Sequence, residues 1–290
     1  MIKKTILFIL IFLSLASTAI YSASGLKLLT VEAGARPSGM GGAFTSITAD
    51  PYSTAYNPAA SFGVGPLTGG LGYNTYWENI RIQTGYLSFA KKSIVFSTGV
   101  QFAVVSDLQG RQSPTDEFYP FDAHDVSIKT GAAFRVDKDV VFGLMLGWMF
   151  EKIEAYRGDA FCIDLGLLTQ PYPNLNAGIA VQNLGSKINL RSEEYDLPTT
   201  FRAGLSYKYR QFLPAADIVV LDDDAHIHLG SEYYVGPGFT LRAGYRTGYD
   251  LHSFSAGAGF TRRNLRIDYA FIPYKNEFSD SHLFNLTFTL

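Results

Sequence analysis

Phe142-Gly143-Leu144-Met145-Leu146-Gly147-Trp148-Met149-Phe150 is the stretch on which the fold class turns. Large apolar side chains fall on every second residue, with Gly and Met between them. Successive side chains of a strand point to opposite faces, so this period of two reads as a β-strand. The apolar run around it, Val140 to Phe150, ends between Asp139 and Glu151. A helix needs ~20 apolar residues to cross a bilayer, so this run is too short to be one.

The same alternation recurs on both sides of the stretch. Ile94, Phe96, Thr98, Val100, Phe102 and Val104 share a face against Ser97, Gly99, Gln101 and Ala103. Phe239, Leu241, Ala243 and Tyr245 oppose Thr240, Arg242, Gly244 and Arg246. Phe284, Leu286, Phe288 and Leu290 oppose Asn285, Thr287 and Thr289. From residue 67 to the end the pattern gives about fourteen strands. Their connections alternate in length. Short ones such as Lys91-Lys92, Arg210-Gln211 and Arg262-Arg263 interleave with longer or more polar ones such as Ser106–Ala123 and Gly185–Pro198. Strict alternation of this kind marks a transmembrane barrel, with short turns towards the periplasm and long loops outward.

A soluble β-sandwich also alternates. Here, however, one face carries rows of Phe, Tyr, Leu and Trp, while the other carries Gly, Ser and charges. That contrast suits lipid outside and a polar lumen inside. The expected fold is an all-β, antiparallel transmembrane barrel spanning residues 66–290. Tyr76, Trp77, Tyr156, Tyr207, Tyr209, Tyr233, Tyr234, Tyr249 and Tyr274 are expected to form its interfacial girdles.

Composition agrees. Of 290 residues, 14% are aromatic and only 17% charged, which excludes a disordered chain. A net charge of −2 argues against a nucleic-acid partner. Cys162 is the only cysteine, which excludes a disulfide scaffold. Lys3 and Lys4, the apolar run Ile6–Ala16 and the small residues after it read as a signal peptide over residues 1–24.

Residues 25–65 lack the alternation. Asp50-Pro51 and Asn57-Pro58 each set a capping side chain before a proline suited to a first helical position. Two short helices after a glycine-rich turn are expected, folded into the lumen as a hatch or plug. The lumen-facing charges Lys129, Asp164, Arg202, Glu232, Arg242, Arg246, Arg266 and Asp268 are expected to form an ion-pair network that fills the barrel and braces the hatch. His226 and His228 share a strand face, but no third metal ligand can be named. His252-Ser253 and Ser281-His282 place neighbours on opposite faces, so neither pair makes a nucleophile with its base. Gly39-x-Gly41-Gly42 follows no strand and lacks the lysine of a phosphate loop. No catalytic residue, metal site or cofactor is expected.

Gly34-Ala35-Arg36, Gly39-Met40-Gly41-Gly42-Ala43-Phe44, Asp50 and Asn57-Pro58-Ala59 closely resemble the N-terminus of the PorV/PorQ family of outer-membrane proteins, which is related to the FadL-type transporters of long-chain fatty acids. The resemblance implies an outer-membrane barrel, surrounded by lipid, whose hatch gates passage. Gly34, Arg36, Gly39, Met40, Gly41, Gly42, Asn57 and Pro58 are the matching hatch residues, with a conformational role. It implies two functions. FadL-type members pass hydrophobic ligands such as a fatty acid. PorV-type members hold secreted protein cargo for type IX secretion.

Overall fold

The computed structural model describes residues 26–76, 80–111, 113–275 and 279–290. The expected signal peptide and Trp77 lie outside these residues. The body is a closed, antiparallel fourteen-stranded barrel. In chain order the strands are β1 (Leu67–Tyr76), β2 (Ile80–Lys91), β3 (Ile94–Gly110), β4 (Tyr119–Asp137), β5 (Val140–Ile153), β6 (Tyr156–Tyr172) and β7 (Leu175–Gly185). A two-stranded excursion follows, β8 (Ile188–Leu190) and β9 (Glu193–Tyr195). The barrel resumes with β10 (Thr200–Tyr207), β11 (Phe212–Leu221), β12 (Asp224–Gly236), β13 (Phe239–Arg246), β14 (Phe254–Arg262), β15 (Leu265–Ile272) and β16 (Ser281–Thr289). Pairing of β1 with β16, from Thr68 opposite Thr289 to Thr75 opposite His282, closes the wall. Closure leaves the fourteen wall strands without a free edge, so their backbone groups pair with neighbours on both sides apart from local bulges, as a lipid environment demands.

The faces follow the period of two. On β5, Gly143, Met145, Gly147 and Met149 are buried inside while Leu146 points out and is exposed. On β13 the alternation is complete, odd residues exposed and even residues buried. Phe96, Leu146, Phe161, Leu205, Phe239, Phe254 and Phe284 are among the large side chains left bare on the outside. An apolar exterior of this extent fits hydrocarbon rather than water.

Two regions depart from expectation. The Ser106–Ala123 connection is largely strand, because β3 and β4 continue pairing out to Gly110 opposite Tyr119. The Gly185–Pro198 connection folds as the β8–β9 hairpin, and its Ile188 and Leu197 pack with Leu26 on the inward-facing Met149, Ala160 and Cys162. Cys162 is therefore buried in apolar surroundings. The girdle expectation also needs correction. Tyr207, Tyr209 and Tyr233 are exposed on the outside, whereas Tyr156 shares the inward phase of Ala160 and Cys162 and lies under Arg191 at the rim. Tyr234 instead hydrogen-bonds Glu232 in the interior. Tyr249 stacks on His226, and Tyr76 meets Tyr274 edge-on, on the inner side. Tyr76 and Tyr234 share the inward phase of Asn74 and Glu232, so the alternation itself turns them away from the lipid face.

The N-terminal segment runs down the interior. Leu28 packs on Ile82 and Ala103 near the long-loop end. Phe62 packs near Ala133, Val141 and Leu168 towards the short-turn end, where β1 begins. Between them lie helix α1 (Ala35–Gly39) and 3-10 turns at Pro51–Ala55 and Pro58–Ser61. The Asp50 and Asn57 side chains accept from the N–H of Tyr52 and Ala59, as capping residues do. The two capped turns are 3-10 rather than α-helical, and α1 falls where only a turn was expected.

Candidate functional site: the interior of the barrel

Six ionised side chains form a closed ring in the interior. Arg36 grips Glu232 with two bonds, Nε to Oε2 at 2.8 Å and Nη2 to Oε1 at 2.6 Å. Its Nη1 donates to Asp50 Oδ2 at 3.0 Å. Arg266 Nη2 donates to the same Asp50 oxygen at 2.5 Å, and its Nε to Asp268 Oδ2 at 2.6 Å. Arg242 Nη1 lies 2.9 Å from Asp268 Oδ1, and its Nε donates to Glu232 Oε2 at 2.6 Å. Cation and anion alternate all the way round, so the ring is neutral. Charges buried this deeply are tolerated only when paired and hydrogen-bonded.

Backbone geometry makes the ring reachable. Arg242 on β13 and Asp268 on β15 are separated by β14, whose intervening inward residues are Gly257 and Gly259. A Cβ on Gly259 would lie 2.8 Å from Arg242 Nη2, so a side chain there would block the crossing. Asp50 serves twice, capping with Oδ1 and pairing with Oδ2. Burial pushes its carboxyl up, but Arg266 and Arg36 outweigh that and hold it below the usual carboxylate range.

Further polar anchors hold the segment, Asp217, Arg246, Asn285 and Asn57 among them. Asp217 Oδ2 accepts from the N–H groups of Phe44 and Thr45, each at 2.9 Å, and from the Thr45 hydroxyl at 2.6 Å. Arg246 pairs with Glu32. Asn285 Oδ1 accepts from Ala35 N–H at 2.7 Å. Asn57 Nδ2 donates to Thr45 O at 2.9 Å and to Leu167 O of the wall at 3.1 Å.

The glycine cluster brings backbone against backbone. Gly41 and Gly42 hold φ of +63° and +71°, in the left-handed region that costs residues with a Cβ. A Cβ on Gly41 would lie 2.9 Å from Tyr245 N, and one on Gly42 would lie 2.9 Å from His228 Nδ1. Gly39 faces Gly257, and Met40 lies against Gly230. Directly outside this wall is an apolar groove of about 630 Å³, lined by Leu205, Tyr207, Leu229, Tyr245 and Phe254 among others.

Of the eight charges read from the sequence as a network, Glu232, Arg242, Arg266 and Asp268 join the ring. Lys129 and Asp164 pair apart from it at 2.5 Å, with Asn183 as third member. Arg202 donates to Gln182 at 3.0 Å and lies over the Tyr56 ring. Arg246 goes to Glu32. The eight therefore form separate clusters rather than one network, because strand spacing keeps β4 and β6 away from β12–β15. Of the hatch residues, Arg36 enters the ring, Asn57 and Pro58 pack on β6, and Gly34, Gly39, Met40, Gly41 and Gly42 line the β12–β16 side or its approach. Sequence reading missed Glu32, Asp217 and Asn285 as anchors. Asp217 carried a signal, being an acid at an inward position of Ala215-Ala216-Asp217-Ile218-Val219.

Polar space remains beside the segment: at the short-turn end a pocket of about 370 Å³ is lined by Arg36, Gln170, Lys208, Glu232, Arg242 and Arg266 among others. A polar cavity of about 50 Å³ lies between the segment and the wall, lined by Tyr56, Tyr86, Gln101, Lys129, Gln182 and Arg202 among others. This is room for one or two waters.

The fourteen-stranded barrel matches solved structures of FadL-like barrels. The toluene transporter TbuX of Ralstonia pickettii superposes with a TM-score of 0.67 at 13% identity, over 89% of this chain and 98% of that one. The P. putida toluene transporter TodX gives 0.67 at 12% identity, over 89% and 98%. A Pseudomonas aeruginosa FadL homologue gives 0.61 at 12% identity, over 93% and 99%. The fold is that of the FadL-type barrels. No protein-family model and no curated protein sequence matches the chain.

Proposed function

We propose that the chain is an outer-membrane barrel of a Gram-negative-type bacterium that passes hydrophobic small molecules, with the N-terminal segment, residues 25–65, as its gate. One observation carries the gate. The segment packs along the interior from Leu28 to Phe62 and is tied to the wall by the Arg36–Glu232 and Asp50–Arg266 pairs, so it occupies the lumen and must move for a solute to pass. Wall side chains alone fill a barrel of ~8 strands, so fourteen strands without the segment would leave a channel. The substrate class is supported by the likeness to toluene transporters and a FadL homologue. The apolar groove outside the glycine cluster is in keeping with it.

The test is deletion of Leu26–Ala60 from the full chain, signal peptide retained. The variant should still insert and keep its altered gel mobility when unheated. It should leak small hydrophilic solutes, and its uptake of fatty acid or toluene into vesicles should lose gating. If both permeabilities equal those of the intact chain, the segment is no gate. The PorV-type role, binding secreted protein cargo, would then be the better reading.

A further inference from the structure

Three of the tight turns at the short-turn end carry a basic residue at a strained backbone position; the turn Asp137-Lys138-Asp139 at that end is acidic, and Asn174 and Gly238 hold positive φ in two others. At the short-turn end, Lys92, Arg210 and Arg263 hold φ of +56°, +54° and +54°. At the long-loop end the left-handed turn positions include Glu154, Asp222 and Asp223, with Arg191 in the β8–β9 hairpin the basic exception. Hairpin turns of this kind favour Asn or Gly, which adopt positive φ at lower cost. A lysine or arginine kept there points to a use for the side chain.

Two of the basic turns share one construction. Lys91 pairs across the hairpin with Ile94, and one step deeper Phe89 pairs with Phe96. Arg262 pairs with Leu265, and one step deeper Phe260 pairs with Ile267. All eight of these residues are exposed. Each turn thus sets two exposed cations, Lys91-Lys92 or Arg262-Arg263, at the edge of an apolar exterior. At the second, a groove of about 570 Å³ runs from Arg262 and Arg263 down to Phe260, Leu265 and Ile267. Arg210 adds a third cation over the ring of Tyr209.

We infer that the short-turn rim binds the phosphate headgroups of anionic glycerophospholipids, with acyl chains lying on the apolar pairs beneath. Charge complementarity and continuity with the lipid-facing wall select this occupant. A soluble anion would use the cations but leave the groove and the aromatic pairs without a role. The inference rests on the barrel lying in a membrane and is independent of what the barrel transports. Each basic residue near an anionic surface favours binding by a factor of about five.

The test uses the full chain in vesicles of mixed phosphatidylglycerol and phosphatidylcholine, followed by mild detergent extraction and native mass spectrometry of retained lipid. The intact protein should retain phosphatidylglycerol above its share in the vesicle. The triple variant Lys92→Asn, Arg210→Asn, Arg263→Asn should lose that enrichment about tenfold or more. Asn suits positive φ, so this variant removes charge while easing the turns, and its unheated gel mobility should be unchanged. The mirror variant Glu154→Asn, Asp223→Asn should retain phosphatidylglycerol as the intact chain does. Equal retention of the two lipids by the intact protein overturns the inference, as does undiminished enrichment in the triple variant. Binding of polyglutamate by the intact chain, lost in the triple variant without any lipid preference, would overturn it in favour of an acidic protein partner. Failure to float with vesicles would sink the membrane placement itself.

Discussion

On the β12–β15 side the N-terminal segment is held by Arg36 and Asp50, locked into a ring with Glu232, Arg242, Arg266 and Asp268. On the β5–β7 side it is held by neutral groups. Asn57 bonds the Leu167 carbonyl, Gln182 bonds the Ala55 carbonyl at 2.7 Å, and Pro58 and Ala59 lie against Gly143 and Gly166. The two attachments respond to different perturbations. Removing one member of a buried charge set leaves its partners uncompensated, so the ring stands or fails together. Neutral hydrogen bonds and close contacts loosen one at a time. Release of the segment should therefore be abrupt on one side and graded on the other.

The largest effect should come from breaking the ring. Glu232→Ala leaves Arg36 and Arg242 facing each other without their shared carboxylate, a cost of about 3–5 kcal/mol. It should undock the segment rather than unfold the wall, whose strand pairing it leaves intact. Solute leak from vesicles should rise sharply while unheated gel mobility persists. If leak stays at the level of the intact protein, the ring is not what holds the segment, and the contrast between the two sides collapses.

Adjacent residues of β5 sharpen the comparison next. Leu144 faces lipid, so Leu144→Arg should cost about 2–4 kcal/mol near the bilayer midplane and reduce insertion. Gly143 faces the segment, and a Cβ there would run into the backbone of Pro58 and Ala59. Gly143→Ser should leave insertion near normal and increase leak. The readouts are the urea midpoint of gel mobility for the first and solute permeability for the second. Were the two patterns exchanged, the inside and outside of the barrel would be misassigned.

The wall was legible in the sequence because period two is a direct image of a strand between two unlike media. Phe239 to Arg246 shows it without exception. The caps of Asp50 and Asn57 were legible too, since each is set by the residue and the proline after it. The pairing of charges was not. Arg36 meets Glu232 across 196 positions, and Arg242 reaches Asp268 only because Gly257 and Gly259 clear the strand between. Such partners are fixed by strand order and by the path of the segment, neither of which alternation records. Of the inward tyrosines, Tyr249 meets the His226 ring, a partner no local pattern records, whereas Tyr234 sits two residues from Glu232 and its inward phase is readable from the alternation.

The smallest effect belongs to the neutral side, and acid separates it from the charged one. Asn57→Ala removes the bonds to Thr45 and Leu167 and the cap on Ala59, a cost of about 1–3 kcal/mol for the buried groups left unpaired. Leak should rise modestly, and because no ionised group is involved the increment should be the same at every pH. The intact protein should behave otherwise. The carboxyl of Asp50 is held below its ordinary value of 3.8 in the docked segment, so its contribution is complete above that value. It is lost only as pH falls through the lower, docked value, when proton uptake releases Arg36 and Arg266 from their shared oxygen. Leak should therefore be flat from about pH 7 to about pH 5 and climb in stronger acid. Asn57→Ala should run parallel to it with a constant offset. Asp50→Asn should already leak at neutral pH and lose the acid limb that Asp50 contributes. A pH-dependent offset in Asn57→Ala would mean that the two attachments are coupled, and the division of the segment into a charged and a neutral side would have to be abandoned.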